Sequence, residues 1–370
     1  MKTTLRRAIV PGAAALALAA SLAACGDSNT NTAGDNAPAD GGSALSGKLA
    51  GGGSSAQGTA QQAWMAAFQG DNSGVSITYD PVGSGTGRTS FESGAYSFAG
   101  SDAFIANPSD EYTAAQKTCG GDPIEVPSYI SPIAVVFNLK GVDSLKLDAK
   151  TIADIFNGTV KKWNDPQIAS QNDGVTLPDE AIHTVHRSDD SGTTQNFTEY
   201  LSKAGEGAWK DEPAQTWPST DGLSGNGTSG VITSIKGGEG TIGYADASQA
   251  GGLGVVSIKV GSSYNAPSAE GAAAVVANSD LDASATDSQL IYDVNRTDTA
   301  DGAYPLVLVS YLLACPTYAD ASTAAMVKGY LTYIVSQEGQ QAGASAAGSA
   351  PLSSDTSDKA TAILDKIAAK

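Results

Sequence analysis

Two spacings of apolar residues alternate along the chain, and together they predict an α/β protein. Leu49 and Ala50 are a short apolar start. A Gly51-Gly52-Gly53-Ser54-Ser55 turn follows, and Ala60, Ala63, Trp64, Ala67 and Phe68 then recur at helical spacing. Val75, Ile77 and Tyr79 alternate as in a strand, Pro81 and Gly83 break it, and Ser84-Gly85-Thr86-Gly87 opens another helix. Phe98-Ala99-Gly100-Ser101-Asp102 reads as a short buried strand ending in a carboxylate. Three successive units thus end in small donor-rich residues or an acid, on the sheet edge where open α/β folds bind ligands.

A continuous β-rich run over residues 130–139 follows a loop holding Cys119 and Pro123, and it suits a crossing into a second lobe. Ile152, Ile155 and Phe156 lie on a helix that Asn157-Gly158 ends, and Trp163-Asn164-Asp165-Pro166 turns into a short one. A strand over residues 181–186 then leads into Arg187-Ser188-Asp189-Asp190-Ser191-Gly192-Thr193-Thr194, and a helix carrying Phe197, Tyr200, Leu201 and Ala204 follows. A guanidinium, hydroxyl donors and the free N–H groups of a helix start describe a receptor for an oxyanion. Gly225-Asn226-Gly227-Thr228-Ser229-Gly230 matches a dinucleotide loop in letters only. No clear strand precedes it, and it reads as a loop entering the helix of Val231, Ile232 and Ile235. Residues 240–245 form a strand after a tight turn. A second apolar run over residues 304–314 crosses back, and two closing helices follow around Val327 and Leu364.

At 370 residues, two lobes are expected. Lys2, Arg6 and Arg7 precede an apolar run over residues 8–24, the layout of a secretory signal. The run ends Leu22-Ala23-Ala24-Cys25 and resembles a bacterial lipobox, which implies lipidation of Cys25. Residues 26–46 are polar and small, a flexible tether. Removing residues 1–24 takes away three of the 21 cations and none of the 39 acids, leaving a net charge of −21. That balance disfavours nucleic acid and anionic lipid as partners. Donors inside a cleft act at contact, whereas scattered surface charge is screened beyond about 10 Å at 0.1 M salt, so an anionic ligand stays open. With Cys25 used, Cys119 and Cys315 are an even pair in an exported protein and are expected to form a disulfide.

Catalysis finds little support. The only histidines, His183 and His186, point to opposite faces of a strand, and only Asp102, Asp189 and Asp190 are acids near the candidate site. No metal and no cofactor are expected.

The segments Gly53-Ser54-Ser55, Gly83-Ser84-Gly85, Gly100-Ser101-Asp102 and Arg187-Ser188-Asp189-Asp190-Ser191-Gly192-Thr193 resemble the periplasmic phosphate-binding proteins, the substrate-binding subunits of the phosphate ABC importer. The likeness runs from about Ser46 to the C-terminus. It implies a two-lobed periplasmic-binding-protein fold of type II, whose two crossing segments form a hinge. Lobe I is expected over residues 47–130 and 300–370, and lobe II over 131–299. By the resemblance, Ser55 donates its hydroxyl and Ala56 its backbone N–H, although the family has an aromatic where Ala56 stands. Ser84 donates through hydroxyl and amide, Arg187 supplies the cation, and Ser191, Gly192 and Thr193 cradle the anion. Asp189 holds the guanidinium in place. Asp102 gives selectivity a mechanism: a fixed acceptor suits hydrogen phosphate, which has a proton to donate, and leaves sulfate mismatched. The implied function is phosphate capture by a monomeric lipoprotein on the outer face of the cell membrane, with delivery to the permease subunits. The alternatives are a receptor for sulfate or molybdate, or a secreted phosphoesterase.

Overall fold

The computed structural model describes residues 45–370. The expected signal segment, the expected lipidation site Cys25 and most of the expected tether lie outside the described residues. The first region alternates β1 (Ser46–Gly53), α1 (Gly58–Asp71), β2 (Gly74–Asp80), α2 (Ser84–Glu92), β3 (Phe98–Ser101) and α3 (Asp110–Cys119), and β4 (Ile124–Asn138) then crosses over. The second region holds β5 (Ser144–Leu147), α4 (Ala149–Phe156), α5 (Pro166–Ala169), β6 (His183–Arg187), α6 (Gly192–Ala204), β7 (Leu223–Gly225), α7 (Gly227–Gly237), β8 (Thr241–Asp246), β9 (Gly254–Val260), β10 (Ser263–Asn265) and α8 (Ala269–Ala277). After the small ribbon of β11 (Asp280–Leu281) and β12 (Tyr292–Asp293), β13 (Val307–Ala314) returns. The chain closes with β14 (Thr317–Tyr318), α9 (Ala321–Val335), α10 (Gln337–Ala347), α11 (Ser354–Leu364) and β15 (Ala368–Ala369).

One curled sheet runs in the order β2-β1-β3-β13-β4-β8-β6-β7. β1 lies parallel to both β2 and β3, which brings the C-terminal ends of these strands, and the turns after them, to one edge. β4 and β13 join the two halves. Residues 124–132 of β4 pair antiparallel with β13, and residues 133–138 pair with β8. Both crossings are buried along almost their whole length, which is why their sequences read as continuous apolar runs instead of alternating ones.

β4 starts at Ile124, earlier than the apolar run at 130–139 suggested. The strand accommodates two prolines at irregular points: Pro127 sits beside the register shift at Ser310/Tyr311, and Pro132 lies where β4 changes partner. Cys119 is the last residue of α3 and not a loop residue, with Gly120 closing the helix in a left-handed conformation. Cys119 and Cys315 form the expected disulfide. A strand, β7, does precede the Gly225–Gly230 segment, and α7 begins inside it at Gly227. α10 is mostly Gln, Gly and Ala, so its periodicity is faint. Its small residues let it approach Trp64 of α1, whose Nε1 donates to the Gly339 carbonyl at 2.6 Å.

Candidate functional site

The turns after β1 and β3, the start of α2, the end of β6 and the starts of α6 and α7 converge between the two halves of the sheet. Arg187 ends β6 and is 3% exposed. Asp189 grips it in two parallel bonds, Nε to Oδ1 at 2.8 Å and Nη2 to Oδ2 at 2.5 Å. Two of the five guanidinium donors are thereby used and the others are left for a ligand. Burial pushes the Asp189 carboxyl up, but the hydrogen bond and charge of Arg187 outweigh it and hold the group below its ordinary range. The Gly227 amide, at the start of α7, also donates to Asp189 Oδ1 at 3.0 Å. The expected pairing of Asp189 with Arg187 is present.

Ser191 caps α6, accepting the Thr194 N–H at 3.1 Å. The next amides, of Gly192 and Thr193, have no carbonyl one turn earlier to bind and carry the positive end of the helix dipole. This helix start lies against Asp102 of the facing half. A Cβ built on Gly192 would stand 2.8 Å from Asp102 Cβ and 2.7 Å from the Ala103 nitrogen. The Thr193 hydroxyl donates to Asp102 Oδ2 at 2.8 Å, and Asn196 Nδ2 donates to the Asp102 carbonyl at 2.7 Å.

Asp102 is 3% exposed and sits in the turn after β3, where no helix follows for it to cap until Asp110. Its backbone N–H donates to Ser84 Oγ at 3.1 Å, which leaves the Ser84 hydroxyl proton for another acceptor. Ser84 opens α2, as its position after Gly83 predicts. Ser54 and Ser310 donate to Asp102 Oδ1, each at 2.5 Å. Neither serine is among the residues expected from sequence. Ser54 was one of two adjacent hydroxyls in a single turn, and spacing could not say which one faces the acid. Ser310 is detectable as the one small hydroxyl residue in a strand otherwise of Val, Leu, Ala and Tyr, Val307–Ala314.

Ser55 and Ala56 are buried in the turn after β1. Ser55 Oγ accepts the Thr228 N–H at 3.1 Å and lies 3.0 Å from the Thr228 hydroxyl, so it reaches across to α7. Ser55, Ala56, Ser84, Asp102, Arg187, Ser191, Gly192 and Thr193 therefore all lie on the seam between the half-sheets. Thr228, from the glycine-rich segment read as a plain loop, joins them. The seam is also tied by the Gly85 N–H, which donates to the Asp190 carbonyl at 3.0 Å. His183 is exposed, whereas His186 is buried, stacked on Trp217 with ring centroids 5.2 Å apart. The His186 Nδ1 is 2.8 Å from the Arg187 carbonyl, which can only accept, so that nitrogen carries a proton.

No helix among the described residues is long and apolar enough to cross a membrane, and no three or more of their His, Cys, Asp and Glu side chains cluster as a metal site would require. Comparison with known proteins adds the lineage. The sequence matches the PBP superfamily domain over residues 38–338. It is 34% identical to the phosphate-binding protein PstS 3 of Mycobacterium leprae over 324 residues, 85% of this chain and 87% of that one. It is 33% identical to the phosphate-binding protein PstS2 of Mycobacterium bovis, over 96% and 98% of the two chains. Among solved structures, the high-affinity periplasmic phosphate-binding protein PfluDING superposes with a TM-score of 0.70 at 21% identity, covering 85% of this chain and 93% of that one. The phosphate-binding protein of Stenotrophomonas maltophilia gives a TM-score of 0.64 at 18% identity, covering 86% and 94%. The architecture is thus the two-lobed one that the crossing strands indicate. By this fold and by these identities over nearly its full length, the chain belongs to the phosphate-binding proteins of the PBP superfamily.

Proposed function

We propose that the protein binds inorganic phosphate with high affinity outside the cell membrane and delivers it to an ABC permease for import. The observation that carries this reading is a carboxylate, Asp102, buried against a helix start and facing the lobe that holds a buried arginine. Donors from both lobes attract an oxyanion, and one acceptor among them selects an anion that still owns a proton.

In this reading Arg187, Ser191, Gly192 and Thr193 form one jaw. Ser55, Ala56, Ser84 and Asp102 form the other, and Asp189 orients Arg187. Ser55 serves the ligand through its hydroxyl when Thr228 yields it. Lobe I comprises residues 47–130 and 300–370, and lobe II residues 131–299. The protein works as a monomer, held to the outer face of the membrane by lipid on Cys25, and it turns over no substrate.

Calorimetry with phosphate and sulfate side by side tests the proposal. Phosphate is expected to bind at micromolar concentration or below, with sulfate weaker by orders of magnitude. At 100 times the dissociation constant, phosphate should stabilise the fold by about 2.7 kcal/mol, visible as a raised melting temperature. Asp102→Asn should weaken phosphate and narrow its advantage over sulfate. No heat and no melting shift with phosphate would sink the reading, and hydrolysis of a chromogenic phosphate monoester would point to an esterase instead.

A further inference from the structure

Asp102 is the end of a longer polar chain that runs through the otherwise apolar core of the first lobe. The Tyr330 hydroxyl donates to Gln61 Oε1 at 2.8 Å, Gln61 Nε2 donates to Gln57 Oε1 at 2.9 Å, and Gln57 Nε2 donates to Ser310 Oγ at 2.6 Å. The Ser310 hydroxyl then reaches Asp102 Oδ1. Gln57, Gln61 and Ser310 are completely buried, as is Tyr330. A buried chain of this length is costly unless every member is satisfied, so its direction carries information.

That direction is fixed by a group that cannot donate. Gln57 Nε2 also lies 3.2 Å from the Tyr311 backbone carbonyl, so that atom must be the amide nitrogen. Ser310 Oγ consequently accepts from Gln57, and its single proton goes to Asp102. Ser54 is constrained in the same sense. Its Oγ accepts the N–H groups of Ala56 at 3.2 Å and Gln57 at 3.3 Å, so its proton also goes to Asp102 Oδ1. A local irregularity aims Ser310 at this point. The β4–β13 register shifts between Ser310 and Tyr311, and such bulges redirect side chains.

We infer that Ser54, Ser310 and Gln57 are positioning residues for anion selectivity. They saturate Asp102 Oδ1 with two obligate donors, and so hold the carboxylate in one orientation, with Oδ2, which also accepts from the Thr193 hydroxyl, as the oxygen left for the cleft. A proton placed on Oδ1 would meet two hydroxyl hydrogens that have nowhere else to point. Turning the carboxylate would break both serine bonds at once, so its accepting oxygen is kept toward the cleft, where sulfate has no proton to give it. The inference rests on the reading of Asp102 as the selector.

The test is the ratio of phosphate to sulfate affinity, measured by calorimetry in the full chain for Ser54→Ala, Ser310→Ala, the double variant and Asp102→Asn. In mildly alkaline buffer, where phosphate is mainly the hydrogen phosphate dianion, both anions carry the same charge, so losses from general loosening cancel in the ratio, and melting temperatures without ligand confirm folding. Hydrogen bonds to charged groups justify expecting roughly a ten-fold narrowing for each serine. The double variant should approach the Asp102→Asn ratio. Ratios within two-fold of the unaltered protein in the serine variants, beside a narrowed ratio in Asp102→Asn, would overturn the inference while leaving the phosphate reading intact. An unchanged ratio in Asp102→Asn itself would overturn both the selector and its support. Should Ser310→Ala fail to fold, Ser54→Ala, in the buried turn after β1, decides alone.

Discussion

At the scale of single residues, the seam is made by backbone as much as by side chains. Gly192 occupies a position where any side chain would strike Asp102 and Ala103 of the facing lobe. Its dihedrals are ordinary, so alanine there suits α6 as well as glycine does, or better by up to about 1 kcal/mol. Gly192→Ala should therefore leave the ligand-free melting temperature equal or slightly raised, yet weaken phosphate by 100-fold or more because the lobes can no longer meet. Calorimetry and thermal melting on the same sample separate these two effects. A lost melting temperature with unchanged affinity would contradict this account. The chemistry of this region was legible in sequence wherever one residue type had one plausible partner, as with Arg187 and Asp189. Where two hydroxyls stood side by side, as with Ser54 and Ser55, composition named the turn but not the orientation. That choice depends on β3 and β13 arriving from 48 and 256 residues away in the chain.

At the scale of elements, strongly periodic segments were readable and weakly patterned ones were not. α1, α6 and the two crossings announce themselves through Trp, Phe, Leu, Ile and Val. α8 is mostly Ala with a pair of Val, α10 is mostly Gln, Gly and Ala, and both are defined by what they pack against. α3 has a serine cap, Ser109, accepting the Tyr112 N–H at 2.9 Å, but a charged sequence that reads as a linker. The same helix carries one end of the disulfide. Cys119 and Cys315 are 196 residues apart, so the bond ties α3 to the end of β13 across a very large loop. Constraining so long a loop in the unfolded chain gives a stabilisation of roughly 2–5 kcal/mol. Replacing both cysteines by serine should lower the melting temperature accordingly, with phosphate affinity little changed because the bond is remote from Asp102 and Arg187. Differential scanning calorimetry on oxidised, reduced and substituted protein checks this, and equal melting temperatures would refute it.

For the whole molecule, two buried acids govern how stability responds to pH. Burial pushes Glu125 up to about 8, against hydrogen bonds from Gln289 and the Ile105 amide, and pushes Asp246 up to about 6. Between the usual carboxyl range and these values, the folded protein holds protons that the unfolded chain has released. Stability must therefore fall as pH rises through this window. Asp189 works in the opposite sense, adding stability above its ordinary range that is lost only in stronger acid. The ligand-free melting temperature is expected to drop between pH 6 and pH 8.5, and Glu125→Gln should flatten most of that slope. A slope of unchanged steepness would remove Glu125 as its source.

The two connections between the lobes, β4 and β13, are hydrogen-bonded neighbours and not separate tethers. Asp246 adds a clasp there, taking the Tyr129 hydroxyl at 3.1 Å to one oxygen and 3.2 Å to the other. The molecule is bound like a book with a single spine. A paired ribbon resists sliding and shear, so the easy motion left is a swing about that spine. Traffic in and out must then pass along the fore-edge, where the turn after β2 and the starts of α2 and α7 face each other. Any membrane complex that unloads this carrier would have to grip both covers at that edge, and the few backbone bonds across it, such as Gly85 to Asp190, set how hard it must pull.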